Sequence, residues 1–181
     1  MSLVELIARA DERGLAASGL ACSDRCVPLL GGDDEVLRPL WGALTDEGGD
    51  WGARLERARG TLRATVPGGS AGDEAVLLAR RMLDAAPAAR SAAAVREWAG
   101  LCSAASLRIH RLLDPAGAAA PADAPGTDLS PLVAAELRRQ ITVLELLTGH
   151  GAAGLRQARE VSTQGRRVLR AVVSRRARAQ G

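Results

Sequence analysis

The stretch AAGLRQAREVSTQGRRVLRAVVSRRAR, residues 152–178, decides how this chain folds. At 100° per residue, Leu155, Ala158, Val161, Gly165, Val168, Leu169, Val172 and Val173 share one side of a helix. Arg156, Arg159, Arg166, Arg167 and Arg170 cluster within an arc of about 100° on another side. The apolar arc keeps its phase from Leu155 to Val173, so the stretch predicts one long helix docked along one flank. A helix-turn-helix can be aligned on residues 154–172, with Ala158, Val161, Val168 and Ala171 at its apolar positions. It would need a turn near Ser162–Gln164, which would reset that phase, and Ser162 stands where glycine is expected.

Two more seams lie upstream. In residues 88–113, Val95, Trp98, Cys102, Ala105, Ile109 and Leu112 alternate spacings of three and four, the pattern of a helix buried along one face. In residues 130–148, Ser130 as N-cap and Pro131 at the first helical position open a helix whose seam reads Val133, Leu137, Ile141, Leu144 and Thr148. Between them, residues 114–129 are rich in Ala, Pro and Gly and read as a flexible loop. Nearer the start, Ser2 with Glu5 makes a capping box for a helix over residues 3–22, in which Gly14 and Gly19 mark a place to bend. Pro28, Gly31-Gly32, Pro39 and Gly48-Gly49 restrict the next stretch to short helical pieces. An amphipathic segment follows from Trp51 to Val66, and Asp73 caps another that stops before Pro87. β-Branched residues are too scattered for strands. The expectation is an all-α, single-domain bundle of six to eight helices with no sheet. Residues 1–113 form its N-terminal part, and residues 130–181 a long hairpin packed on the same core of Leu, Val, Ala and the three Trp.

Composition qualifies the arginine stripe. The chain has no Lys, Asn, Phe or Tyr, and all 24 basic residues are Arg, as GC-rich bacterial coding would write them. Arginine in place of lysine is therefore not itself a sign of nucleic acid. Its distribution is more telling. Residues 1–60 hold eleven acids and seven Arg, net −4, whereas residues 152–181 hold eight Arg against Glu160 alone, net +7. Coding bias does not account for acids missing from the last helix. No apolar run reaches the ~20 residues of a membrane span and no secretory leader is present, so a cytoplasmic protein without membrane contact is expected. Three cysteines, an odd number, suggest no disulfide framework.

Five guanidiniums on one face match carboxylate or phosphate geometry. Arg156, Arg159, Arg166, Arg167 and Arg170 are therefore the candidate binding residues, with an acidic protein partner as first expectation and nucleic acid as the competitor. The alternative is a solvated face with the acidic N-terminal segment lying against it. No catalytic residues are expected: serine elbows, phosphate-cradling glycine loops and His-Glu metalloprotease spacings are missing, and neither cofactor nor metal is implied. Cys22, Cys26, Cys102 and His110 are numerous enough for zinc but lack paired Cys-x-x-Cys spacing. Cys102 reads as a small hydrophobe, His110 as a partly exposed interface residue, and His150 as a helix C-cap. Asp33-Asp34-Glu35 and Asp46, Glu47 and Asp50 read as helix N-caps and dipole partners. The leading reading is a non-catalytic cytoplasmic interaction or regulatory module. A DNA-binding transcriptional regulator is one alternative. The other is a helical small-ligand-binding protein or enzyme with a pocket lined by Trp41, Trp51 or Trp98.

The run Asp24-Arg25-Cys26-Val27-Pro28-Leu29-Leu30, followed by Asp33-Asp34 and Arg38-Pro39, is similar to the N-terminal segment of bacterial immunity proteins. Those are helical polypeptides that neutralise toxins by binding them. The resemblance covers residues 24–39, while the His-rich Ala helices of that family are missing from the rest of the chain. It implies binding rather than catalysis.

Overall fold

The computed structural model describes residues 1–45, 49–68, 73–115 and 129–181. In chain order these contain α1 (Leu3–Arg9), α2 (Glu12–Cys26), a 3₁₀ turn (Val27–Leu30), α3 (Arg38–Thr45), α4 (Trp51–Ala64), α5 (Glu74–Asp84), α6 (Ala92–Leu113), α7 (Pro131–Gly149) and α8 (Gly151–Gln180). No strand occurs among the described residues, and the all-α bundle is as expected. No described helix is long and apolar enough to cross a membrane.

The bundle is built around α2, which packs on α6, α7 and α8. Every residue from Gly14 to Cys26 is buried, and the many Gly, Ala, Ser and Cys among them let neighbours approach closely. At Gly19 a Cβ would lie 2.7 Å from the Trp98 ring, so the indole packs directly on the α2 backbone. The single helix expected over residues 3–22 is in fact two. Ala10 is extended (ψ 142°), and the Asp11 carboxylate accepts from the Gly14 N–H at 2.7 Å, capping a new helix. Gly14 is thus the capped donor and not a bend, because a good N-cap outweighs continued periodicity. Gly31 ends the 3₁₀ turn at φ +70°, where a Cβ would lie 1.8 Å from the Val66 carbonyl oxygen, so no other residue fits.

The three Trp are core residues, each no more than 4% exposed. Trp51 and Trp98 meet edge to face at 6.0 Å, and their indole N–H groups donate to the carbonyls of Pro87 and Met82, both at 2.8 Å. Such satisfaction is what permits an indole to be buried without penalty.

Both C-terminal helices follow the sequence, with one change of phase. α7 starts at Pro131 after Ser130, and Asp114 Oδ2 accepts from the Leu132 N–H at 3.1 Å. Its buried residues, however, are Val133, Glu136, Gln140, Val143 and Leu144, while Leu137 and Ile141 are half-buried and Thr148 is exposed. The helix has turned to bury two polar side chains for a reason given below. α8 runs unbroken through Ser162–Gln164, so no helix-turn-helix exists there. Val168, expected on the docked flank, is 39% exposed. The 116–128 part of the expected loop, and Asp46 and Glu47, lie outside the described residues.

Candidate functional site

The five candidate arginines do not form one free surface. Arg166 is buried: its Nη1 donates to Asp24 Oδ1 at 2.5 Å, with the two side chains only 5% and 3% exposed, and its Nε lies 3.5 Å from Asp34. Trp41 Nε1 donates to the other Asp24 oxygen at 3.0 Å. Burial pushes the Asp24 carboxyl above its ordinary value, and Arg166 and Trp41 offset this only in part. One turn further, Arg170 pairs with Asp34. Toward the start of the helix, Arg159 pairs with Glu35 at 3.2 Å.

The acidic run after the 3₁₀ turn is therefore the counterpart of the arginine stripe. Asp33 does accept locally from the Glu35 N–H at 2.7 Å, but the expectation that Asp34 and Glu35 cap helices is corrected: they reach across to α8. Asp50, the member of the second acidic group among the described residues, takes the expected role and accepts from the Ala53 N–H at 3.0 Å. Asp24, Asp34 and Glu35 of the net negative N-terminal segment thus pair with Arg159, Arg166 and Arg170 of the net positive last helix.

What remains is Arg156 and Arg167. Both are exposed, and neither has an acidic partner among the described residues. With Arg159, Glu160, Thr163 and Gln164 they line a shallow cleft of about 300 Å³. Eleven residues make close to three helical turns, so the two guanidiniums project from one face about 16 Å apart.

A second cluster carries far more chemistry and was not foreseen. Arg25 on α2 is completely buried and donates through Nε and Nη2 to the two oxygens of Glu136 on α7, at 2.8 and 2.7 Å. This is the two-pronged geometry that makes arginine–carboxylate pairs strong. Ser106 Oγ (2.8 Å) and Gln140 Nε2 (2.9 Å) donate to the same carboxylate, and Ser103 Oγ donates to Gln140 Oε1 at 2.7 Å. His110, 1% exposed and so corrected from a partly exposed residue, lies with Nε2 3.5 Å from Glu136 and Nδ1 2.7 Å from the Ser106 carbonyl oxygen. On α8, Ser162 and Gly165 complete the enclosure. A Cβ at position 165 would sit 2.4 Å from Arg25 Cδ, so glycine makes room for the arginine stem.

Burial alone would raise the Glu136 carboxyl. Arg25 with its hydrogen bonds, the hydrogen bond from Gln140 and, once protonated at low pH, His110 overcome that and hold it down to about 2. Burial keeps His110 below its ordinary value despite Glu136, so the imidazole is neutral, with the Ser106 carbonyl fixing the proton on Nδ1. Desolvation pushes the Cys22 thiol up to about 12 and raises Cys26 and Cys102 as well. None of the three is a thiolate nucleophile.

Serine, histidine and glutamate stand together here, but their order is wrong for nucleophilic catalysis. Ser106 donates to Glu136, not to His110, so no base draws its proton. Nor do the thiols and His110 converge on a metal position. Cys22 accepts from Arg25 at 3.4 Å, Cys26 meets Ser106 and Cys102 meets Ser23, both at 3.8 Å. Among the described residues no group of three His, Cys, Asp or Glu is arranged to hold a metal ion. The cluster is a sealed polar core that locks α2, α6, α7 and α8 in register.

One sequence signal pointed to it. Val133, Glu136, Gln140 and Val143 follow spacings of three, four and three, so two polar residues complete a seam that counting only apolar residues misplaces. The three Trp expected to line a pocket are all buried in the core, and none of them lines the groove of about 720 Å³ formed by α6, α7 and α8. The likeness of residues 24–39 to immunity proteins gains no support from known families, and the part that segment plays is read from its own contacts with α7 and α8. No family model, no curated protein and no solved structure matches this chain.

Proposed function

We propose that the protein is a non-catalytic cytoplasmic interaction module, regulatory in kind, that binds an acidic protein partner through the N-terminal half of α8. One observation carries this reading: a chain that pairs Arg159, Arg166 and Arg170 with its own acids leaves Arg156 and Arg167 exposed without one among the described residues. The helix dipole gives no reason for Arg156, which lies in the second turn of α8, toward its positive end. Arg25, His110, Glu136 and the three cysteines are consumed inside the core, which favours association over bond-breaking.

A duplex-DNA reader using this face would neutralise only about two phosphates, a log-affinity slope near −2 against log salt. Readers making six to ten contacts give far steeper slopes. The test is a titration of the intact protein with fluorescent poly-glutamate and, separately, with duplex DNA over a range of salt. Arg156→Gln/Arg167→Gln is the variant, chosen because both positions are exposed. The reading expects poly-glutamate to bind better than DNA and the variant to lose most of that affinity with unchanged helicity. Equal affinity of variant and wild type removes this face, and preferential DNA binding with a steep salt slope installs the regulator reading instead.

A further inference from the structure

A different part of α8 carries a second site. α7 and α8 form an antiparallel hairpin folded at His150, but α8 has 30 residues and α7 only 19. About eleven residues of α8, some 16 Å at 1.5 Å per residue, therefore run on past the start of α7. Beneath this overhang, where α6 ends and α7 begins, the helices diverge. They leave a groove of about 720 Å³. That volume lies in the range of small-molecule sites.

Its walls are mostly apolar: Leu112 and Leu113 at the end of α6, Leu132 at the start of α7, and Val172 of α8, with the buried Asp114 carboxylate, which accepts from the Leu132 N–H, at one end. Arg175 and Arg176 line it as well. The two cations differ in state. Arg176 is paired with Asp73 at 3.3 Å, whereas Arg175 is exposed, meets no acid among the described residues and touches only the Ala171 carbonyl of its own helix. An apolar trough with one guanidinium lacking a counterion complements a molecule with an oily tail and a single anionic head.

We infer that this groove binds a free medium- or long-chain carboxylate, its tail against Leu112, Leu132 and Val172 and its head on Arg175. Here the arginine selects the head and the leucines reward the length of the tail. Each added methylene buried against such walls raises affinity about fourfold until the groove is full. The site is independent of the Arg156–Arg167 face, so either can fail without the other.

The experiment is calorimetric titration of the intact protein with hexanoate, octanoate and decanoate, kept below micelle-forming concentrations, beside 1-octanol and neutral vesicles with and without anionic lipid. Two variants accompany it. Arg175→Gln removes the head group's partner, and Ala179→Glu, at an exposed groove position one turn on, places a carboxylate beside Arg175. The expected result is one site whose affinity rises about fourfold per methylene, favours octanoate over 1-octanol, and falls about tenfold for carboxylates but not for 1-octanol in either variant. Absence of saturable decanoate binding, equal binding of octanoate and 1-octanol, variants that bind like wild type, or binding confined to anionic vesicles would each overturn the inference.

Discussion

Replacing Glu136 by Gln removes one charge with almost no change in volume, so it isolates the electrostatics of the polar core. In the native protein this carboxylate accepts from Arg25 twice (2.8 and 2.7 Å), from Ser106 (2.8 Å) and from Gln140 (2.9 Å). An amide accepts at one oxygen only, so its NH₂ group must face a donor, and Arg25 is left charged and fully buried without a counterion. Two routes give the size of the effect. Removing one partner of a buried ion pair costs about 3–5 kcal/mol. Separately, a carboxyl held at about 2 instead of 4.5, at about 1.4 kcal/mol per pH unit, carries about 3 kcal/mol of charge-dependent stability. Against a typical total of about 5–15 kcal/mol, this is a large fraction. At about 2–4 °C per kcal/mol for a chain of this size, Glu136→Gln should lower Tm by about 10 °C. Urea unfolding followed by tryptophan fluorescence is the assay, since Trp41, Trp51 and Trp98 are all buried and report the core. A loss below about 1 kcal/mol would refute the reasoning. The double variant Arg25→Gln/Glu136→Gln should recover part of the loss, because it removes the unpaired charge and keeps an oxygen for Ser106 or Gln140 to donate to.

The pH dependence has a definite sign. Glu136, depressed when folded, stabilises the protein above its unfolded value and loses that contribution as pH falls from about 4.5 toward about 2. His110, kept neutral by burial, adds an earlier loss that begins as the unfolded imidazole protonates near 6.5, and Asp24, raised by burial, acts in the opposite sense. Urea midpoints from pH 7 to 3 should therefore fall in two windows, and Glu136→Gln should flatten the lower one. Gly165→Ala should destabilise by about 1–3 kcal/mol in the same assay, since its Cβ would lie 2.4 Å from Arg25 Cδ and 3.0 Å from Arg139 Cδ. Gly60→Ala and Gly100→Ala, in α4 and α6 with open space around the new Cβ, should each stabilise by about 0.5–1 kcal/mol. Glu35→Gln, at the exposed pair with Arg159, should cost no more than about 1 kcal/mol and less in high salt.

Much of the architecture was legible because helical periodicity is a local property. The unbroken last helix, the seam through Val95, Trp98, Cys102 and Ile109, and the Ser2 and Asp73 starts all follow from short-range spacing, as does the start of α7 at Pro131, although Asp114 and not the Ser130 hydroxyl supplies its side-chain cap. The break at Ala10–Asp11 was also local, but its N-cap signal was hidden under apolar residues that keep their phase through it. Glu136 and Gln140 could not be placed by hydrophobicity, because what makes them core residues is Arg25, more than a hundred positions away. The same holds for the arginine stripe. Its angular clustering was correct, yet whether an arginine is a binding residue or a structural one depended on Asp24, Asp34 and Glu35 arriving from the other end of the chain. Identical side chains on one helical arc thus serve different ends.

Whether Arg166 belongs to the fold or to the free face of α8 is decided by a double-mutant cycle of Asp24→Asn with Arg166→Gln, read out by urea denaturation. With the two side chains 3% and 5% exposed and 2.5 Å apart, the account predicts a coupling of about 2 kcal/mol that persists in high salt. A coupling below about 0.5 kcal/mol would mean that Arg166 stands free of the fold, and would contradict it.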